Sequence, residues 1–397
     1  MQGSHSDAAP AAPRAGDVVE LRIDALAAGG DGVGRAPDGR VIFVPLTAPG
    51  DRVRARLETL HPRHARAELE RVLEPGPARV TPPCQAFGEC GGCSWQHVDY
   101  ATQCEAKRVI VEDALRRVGR VALPAPVTLQ PSPAPYAYRA RARVAVSAGE
   151  VGYRRRRSQA LCAVRRCPVL TGAAEAQLRA LADTPPSRDG EWELASGARG
   201  ARAHAIGSPG AAIELDVDGT PLRISAGVFF QANTALHAPL VASVARAAGS
   251  GSLALELYAG AGFFTLALAR AFERVIAVEA DPAAVGDLRH NLARAGRSGV
   301  EIVHDRAEAV LAGERLRGVR PDVVVLDPPR TGLARGAAAE LCARAPERIV
   351  YLSCDPATLA RDLGALVAGG FALEGVEAFD LFPHTPHVEV LARLRSE

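Results

Sequence analysis

The spacing of apolar positions changes character twice along this 397-residue chain. From Gly16 the pattern alternates. Asp17-Val-Val-Glu-Leu-Arg-Ile is followed by the glycine-rich turn Gly29–Arg35, then Arg40-Val-Ile-Phe-Val-Pro, then Asp51-Arg-Val-Arg-Ala-Arg-Leu. Short alternating runs between glycine turns predict a small OB-like β-barrel over 15–75. Over 76–225 the signal is mixed, with a helix from Thr102 to about Arg117 and strand-like runs at Arg141–Val146 and Ala212–Val217. A small α+β central domain is expected there. From 226 to 397, strands and helices alternate. The strands are Leu253–Tyr258, Arg274–Glu279, Val300–His304, Asp322–Leu326 and Arg348–Leu352, with helices at Phe263–Ala271, Pro282–Ala295 and Ala357–Val367. That rhythm predicts an α/β, Rossmann-like doubly wound sheet with one nucleotide-sized ligand at its switch point. Residues 1–14 are rich in Ala, Pro and Ser without periodicity and read as a disordered tail.

Composition adds little to this picture. The net charge is +2, and Lys107 is the only lysine among 47 basic residues. Arginine suits phosphate recognition through its planar, permanently charged fork. Arg22, Arg52, Arg54 and Arg56, with His61, Arg63, His64 and Arg66 nearby, form a stripe on the barrel strands that fits an RNA backbone, the alternative being a solvated arginine face. The block Arg154-Arg155-Arg156-Arg157 offers a second phosphate surface or a solvated hairpin edge. No apolar run of membrane-spanning length and no secretory pattern is present, so a soluble cytoplasmic protein is expected, without membrane or protein partners and monomeric.

The eight cysteines are unevenly spread. Cys84, Cys90 and Cys93, with Gly91 and Gly92 between the last two, have the spacing of a closed metal site, iron–sulfur or zinc, that needs a fourth ligand. Cys104, Cys162, Cys167 and His97 are the candidates. Cys354 leaves the strand Arg348–Leu352 just before a helix, where open α/β sheets place their chemistry; a buried structural cysteine is the plainer reading of that stretch alone. Ala259-Gly260-Ala261-Gly262 makes a tight turn after the first strand of the sheet, and Glu279 ends the second strand, placed to accept hydrogen bonds from ribose hydroxyls. With no phosphate-loop lysine, the pair suits an adenosine ligand such as S-adenosylmethionine. Asp327-Pro328-Pro329-Arg330 gives a rigid rim beside it. Glu389 enters a late strand.

Six ordered motifs then carry a resemblance over nearly the whole chain. They are Cys-x5-Cys-x2-Cys, Phe229-Phe230-Gln231-Ala-Asn, Leu-Tyr-Ala-Gly-Ala-Gly, Asp-Pro-Pro-Arg, Ser-Cys-Asp-Pro-Ala-Thr-Leu-Ala-Arg-Asp and Pro-His-Val-Glu. Together they resemble the class I RNA uracil-5-methyltransferases that act on bacterial 23S rRNA and tRNA. The resemblance implies that the barrel is a TRAM domain. It implies that Cys354 is the nucleophile that adds to uracil C6 and that Glu389 is the base that removes the C5 proton. Gln231, Tyr258, Gly260, Glu279 and Asp327 are expected around S-adenosylmethionine, with Arg330 a further RNA or uracil contact and Phe229, Phe230 or the arginines holding the opened RNA. It also implies a [4Fe–4S] cluster on Cys84, Cys90, Cys93 and Cys167, the last because it precedes Pro168-Val169-Leu170, with zinc as the alternative metal. The favoured substrate is 23S rRNA, the alternative a tRNA T-loop uridine. A non-catalytic RNA-binding protein and a DNA or cytosine methyltransferase are the competing classes. One departure stands out. Asp355 stands where many family members have asparagine after the nucleophile, and its charge is expected to raise the thiol pKa unless Asp355 pairs or points away.

Overall fold

The computed structural model describes residues 14–36, 38–208, 210 and 212–397; most of the predicted disordered tail lies outside them. The chain folds into two compact units, 14–82 with 94–99, and 83–93 with 100–397.

In the first unit β1 (Val18–Leu26), β2 (Gly32–Arg35), β3 (Val41–Val44), β4 (Arg52–Leu60) and β5 (His64–Glu74) close into a barrel in the order β1-β2-β3-β5-β4. Strict alternation sends Leu21, Ile23, Val53, Ala55 and Leu57 inward, and the arginines between them outward. Gly34 is required where β1 bulges between Ile23 and Ala25, since a Cβ there would sit 2.3 Å from the Arg22 carbonyl oxygen. The expected arginine stripe is largely neutralised. Cross-strand register sets Glu20 opposite Arg54, so Arg54 pairs with it at 2.7 Å, Arg52 bridges Glu20 and Glu74, and Arg56 pairs with Glu70. Outside the strands, Arg79 holds buried Asp51 at 2.6 Å and the Trp95 indole N–H donates to the Gly30 carbonyl at 2.9 Å. His97 is buried in this unit, its pKa pushed down to about 4 by burial.

The second unit opens with α1 (Tyr100–Ala114), which continues as a π-helical turn to Gly119. After β6 (Thr128–Gln130), a five-stranded sheet forms from β7 (Arg141–Ser147), β8 (Glu150–Arg154), β9 (Leu161–Ala163), β10 (Gly190–Gly197) and β11 (Gly200–Ala205), in the order β11-β10-β7-β8-β9, with α2 (Gly172–Asp183) packed on it. In the arginine block, Arg154 donates to the Gln159 carbonyl and Arg155 to that of Leu161, while Arg155 also pairs with Glu89. These two are tied into the hairpin. The hairpin β12 (Ile213–Val217) and β13 (Thr220–Ile224) leads into α3 (His237–Ala248).

The large sheet follows: β14 (Gly251–Leu257), α4 (Thr265–Ala271), β15 (Phe272–Glu279), α5 (Pro282–Arg294), β16 (Val300–His304), α6 (Ala307–Ala312), β17 (Val323–Leu326), α7 (Ala337–Arg344), β18 (Arg348–Ser353), α8 (Pro356–Ala368), β19 (Phe371–Phe379) and β20 (Glu389–Ser396). Its order is β16-β15-β14-β17-β18-β20-β19-β6. Strands β14 to β18 pair in parallel and read as continuous apolar runs because helices cover both faces. β19 was not legible as a strand: Glu374 and Glu377 interrupt its apolar positions, and the register shifts between Leu373 and Gly375.

Candidate active site

Register alone assembles the candidate site. Leu257 of β14 pairs with Val278 of β15 and Leu326 of β17, and Leu326 with Tyr351 of β18. Tyr258, Glu279, Asp327 and Cys354 therefore leave the same, carboxyl edge of the sheet. Antiparallel to β18, β20 sets Val390 opposite Ser353, so Cys354 and Glu389 lie at the same end of this ladder, and the Glu389 charge acts on the thiol. Glu389 is 2 % exposed, and its Oε1 has no hydrogen-bond partner.

Charge within this group is tightly coupled. Burial pushes the Cys354 thiol up to about 11, and Glu389 and Asp327 push the same way, while Arg330 opposes them by charge and hydrogen bond. Burial likewise raises the Asp327 carboxyl to about 7. It holds Glu389 well above the carboxylate range, with Asp327 adding to the shift and Arg330 opposing it. Asp355 is turned elsewhere. It is the N-cap of α8, where its Oδ1 accepts from the Ala357 and Thr358 amides, both at 2.9 Å, and Pro356 occupies the first helical turn. Asp355 thus pairs with the helix amides, and the thiol is raised by burial and by the carboxyls of Glu389 and Asp327.

Arg330 is exposed, but its loop is held firmly. Thr358 Oγ1 donates to the Arg330 carbonyl at 3.0 Å, Arg361 Nη2 to the Thr331 carbonyl at 2.9 Å, and the Leu333 amide to Asp362 Oδ2 at 2.8 Å. The Tyr351 hydroxyl donates to that same Oδ2 at 2.6 Å. Helix α8 thereby clamps the Asp-Pro-Pro-Arg rim beside the thiol that precedes it.

At the neighbouring edge, Tyr258 has φ +64° and Gly260 φ +56°. No atom lies within 4 Å of where a Gly260 Cβ would stand, which leaves open space over the turn. Glu279 accepts from the Gly260, Ala280 and Asp281 amides at 2.7–2.8 Å, so part of its expected ribose-binding capacity serves the turn itself. Gln231 is buried with Oε1 unpartnered. Its carbonyl takes a hydrogen bond at 2.9 Å from His237 Nε2, whose ring lies against Phe230 and Phe263. Burial takes His237 down to about 4, leaving the ring neutral. Phe230 is therefore a core residue, whereas Phe229 is 72 % exposed; of the two expected RNA contacts, only Phe229 is presented.

Sequence reasoning missed Glu256. It is 2 % exposed, and burial pushes its pKa up to about 8 against the neighbouring Thr265 hydroxyl, with Asp327 and Glu279 adding to the shift. An acid inside the apolar run Leu253–Leu257 was the available signal. Buried polar atoms without partners are rare and costly. Gln231, Glu256 and Glu389 are among them; at the carboxyl edge of the sheet such groups suit a polar ligand with amine and hydroxyl donors, as S-adenosylmethionine has.

The four expected cluster cysteines lie in two loops of the second unit. Cys90 is raised to about 12 by burial, and Cys162, Cys93 and Cys167 act on it electrically. Cys167 is raised by burial, with Cys84 contributing. The Gly92 amide donates to Cys90 Sγ at 3.4 Å, and the Gly91 amide donates to the Arg154 carbonyl at 2.9 Å. The thiols share a neighbourhood, yet among the described residues no group of three or more His, Cys, Asp or Glu is gathered closely enough to hold a metal. Cys104 lies on α1 beside Lys107, and His97 is in the barrel unit.

A parallel sheet with a glycine turn after its first strand, an acid ending the second, and a thiol facing a carboxyl at the far strands defines the Rossmann-like methyltransferase class. The tRNA (uracil-54, C5)-methyltransferase of Pyrococcus abyssi, solved with S-adenosyl-L-homocysteine, shares the fold at TM-score 0.74, over 95 % of this chain and 100 % of that one, at 24 % identity. The tRNA (Uracil-5-)-methyltransferase family model matches residues 212–396, and the TRAM domain model matches residues 14–69. An RNA methyltransferase of Gloeobacter violaceus is 33 % identical over 97 % of this chain and 98 % of its own length. One of Streptomyces coelicolor is 33 % identical over 96 % and 93 %. The chain belongs to the RNA uracil-5-methyltransferase family, with an N-terminal TRAM domain. Among the described residues no helix is long and apolar enough to cross a membrane.

Proposed function

We propose that this enzyme methylates C5 of one uridine in 23S rRNA, in the cytoplasm and as a monomer, with Cys354 as nucleophile and Glu389 as base. The observation that carries the reading is that Cys354 and Glu389 lie at the end of the β18–β20 ladder, just beyond the Ser353–Val390 pair, where Glu389, Asp327 and Arg330 all act on the thiol. Uracil C5 is a poor nucleophile. The Cys354 thiolate forms a bond to C6, and the C5=C6 pair moves onto C5 and O4 as an enolate. S-adenosylmethionine, which Gln231, Tyr258, Gly260, Glu279 and Asp327 would hold, would supply the electrophilic methyl to C5, its sulfonium S–CH3 bond breaking to leave the S-adenosylhomocysteine thioether. Glu389 then accepts the C5 proton, the C5–H pair restores C5=C6, and the C6–S bond breaks to return the thiolate. Arg330 favours the thiolate in the first step. Phe229 offers a stacking surface to a uridine drawn out of its helix.

Cys84, Cys90, Cys93 and Cys167 would be the donors of the [4Fe–4S] cluster that the family resemblance implies, although they are not gathered into a metal site among the described residues; its role would be to fix their two loops, since methyl transfer moves no electrons. Iron and sulfide in anaerobically prepared protein support it, and zinc alone would replace it.

The test is RNA containing 5-fluorouridine, which blocks the last proton removal. Wild type is expected to form a stable covalent adduct with RNA and S-adenosylmethionine, and Cys354→Ala none; an equal yield from the variant overturns the mechanism. Loss of 5-methyluridine from 23S rRNA in a deletion strain fixes the substrate, and loss from the tRNA T-loop would reassign it.

A further inference from the structure

Lys107 is the one lysine in a chain that otherwise uses arginine, and it is fully buried. Its Nζ donates to Asp380 Oδ1 at 2.5 Å and to the Phe382 carbonyl at 3.0 Å, with both ion-pair side chains 0 % exposed. One helical turn earlier on the same face of α1, Gln103 grips the same loop. Its Oε1 accepts from the His384 amide at 2.8 Å and its Nε2 lies 3.1 Å from His384 Nδ1. Tyr138 donates to the Pro383 carbonyl at 3.1 Å, and Tyr136 stacks on the His384 ring at 4.2 Å. His384 is held at φ +64°, which a non-glycine residue rarely adopts.

The gripped loop runs from Asp380 to Val388, and both of its ends bear on Glu389. Phe379, at the end of β19, pairs in the ladder with Glu389, and Glu389 opens β20 at the end of the β18–β20 ladder where Cys354 lies. A fully buried ion pair is a weak device for stability, because desolvation offsets its attraction and apolar residues of similar size serve as well. What it does supply is a fixed geometry. A lysine suits the place, since three donors on one compact ammonium can meet a carboxylate and a carbonyl together.

We propose that Gln103 and Lys107 are positioning residues for the base: they fix the 380–388 loop so that Glu389 reaches the C5 proton. The inference rests on the proposed role of Glu389. Removal of the grip therefore slows the last step, in which the carboxylate takes the C5 proton, C5=C6 re-forms and the C6–S bond breaks. Addition of Cys354 to C6 is left intact.

The test uses the full-length enzyme, S-adenosylmethionine and unmodified RNA from a deletion strain, with ordinary uridine. Gln103→Leu and the double variant Lys107→Met/Asp380→Leu, which leaves no buried charge unpaired, are compared with Glu389→Gln. Each strap variant is expected to lose about 10–100-fold in kcat, a part of the roughly 100–10,000-fold that a placed general base contributes. The KM values for both substrates should stay within about twofold, and a methylated covalent protein–RNA adduct should accumulate on denaturing gels. The pH profile of Cys354 alkylation should not move. Unchanged kcat, or a loss without adduct accumulation, overturns the strap. Should the double variant fail to fold, Gln103→Leu decides alone. If Glu389→Gln accumulates adduct and the strap variants do not, only the strap fails; if Glu389→Gln accumulates none, the role of Glu389 falls and the strap with it.

Discussion

The barrel and the sheet edge use charge in opposite ways. On the barrel, Arg52, Arg54 and Arg56 are exposed and each is answered by Glu20, Glu70 or Glu74. At the sheet edge, Glu256 and Glu389 are buried with carboxyl oxygens that nothing answers. Paired surface charges cost little and contribute little. Unpaired buried ones are destabilising, and such polar groups persist where a ligand or a reaction uses them. The contrast separates the part of the molecule built for chemistry from the part whose charges satisfy one another.

The largest effect should come from removing the one cation that faces the carboxylates. Arg330 lowers the Cys354 pKa against burial, Glu389 and Asp327. Arg330→Met should therefore raise the thiol above about 11. Addition at neutral pH should slow by about 10-fold or more, in step with the smaller thiolate fraction. Iodoacetamide alkylation followed against pH measures this directly, and the profile should move to higher pH. An Asp355→Asn variant should leave the profile in place, because that carboxylate caps α8.

Glu256→Gln tests the other side of the contrast. The folded-state pKa of Glu256 is raised from 4.5 to about 8, so in the ligand-free enzyme its contribution is fully present below the unfolded value and is lost as pH rises toward 8. The variant should flatten that decline in thermal denaturation while weakening S-adenosylmethionine binding by about 10-fold, or about 1.4 kcal/mol by calorimetry. Loss of the pH slope without loss of binding would make Glu256 a purely structural liability.

The adjacent phenylalanines give a sharper pair, in which stability and RNA binding are affected separately. Phe230→Ala removes a ring packed on His237 and Phe263 and should destabilise by about 3–5 kcal/mol. Phe229→Ala should leave the melting temperature alone and raise the KM for RNA several-fold, an effect of about 1 kcal/mol for one lost base stack. Steady-state kinetics beside thermal melts distinguishes them.

Much of this was legible in sequence, for reasons that differ by element. Parallel strands buried on both faces appear as unbroken apolar runs, so β14 to β18 and the turn at Gly260 could be placed by eye, and Cys354 with them. Glu389 could be tied to Cys354 only through family resemblance, because their meeting depends on β20 pairing antiparallel with β18, and the chain reaches β20 only by way of β19, whose glutamates and bulge conceal it. Partnership was the least legible property. Nothing in the spacing of Arg52, Arg54 and Arg56 tells that acids on β1 and β5 would meet them, that Asp355 would turn to the helix amides, or that Phe230 would point inward while Phe229 points out.

The smallest predicted effect is also the most discriminating for the barrel. If Arg54 is occupied by Glu20, Arg54→Ala should change RNA affinity less than about twofold and leave the salt dependence of binding unaltered, since an arginine that touches no phosphate releases no counterions. Glu20→Gln should do the reverse. It frees Arg52 and Arg54 together, so RNA binding at low salt should tighten and its salt slope steepen by up to about two, one for each freed cation. A steep loss of affinity in Arg54→Ala would instead mean that RNA outcompetes Glu20 for this face, and the barrel would join the sheet edge as a place where charge is held for use.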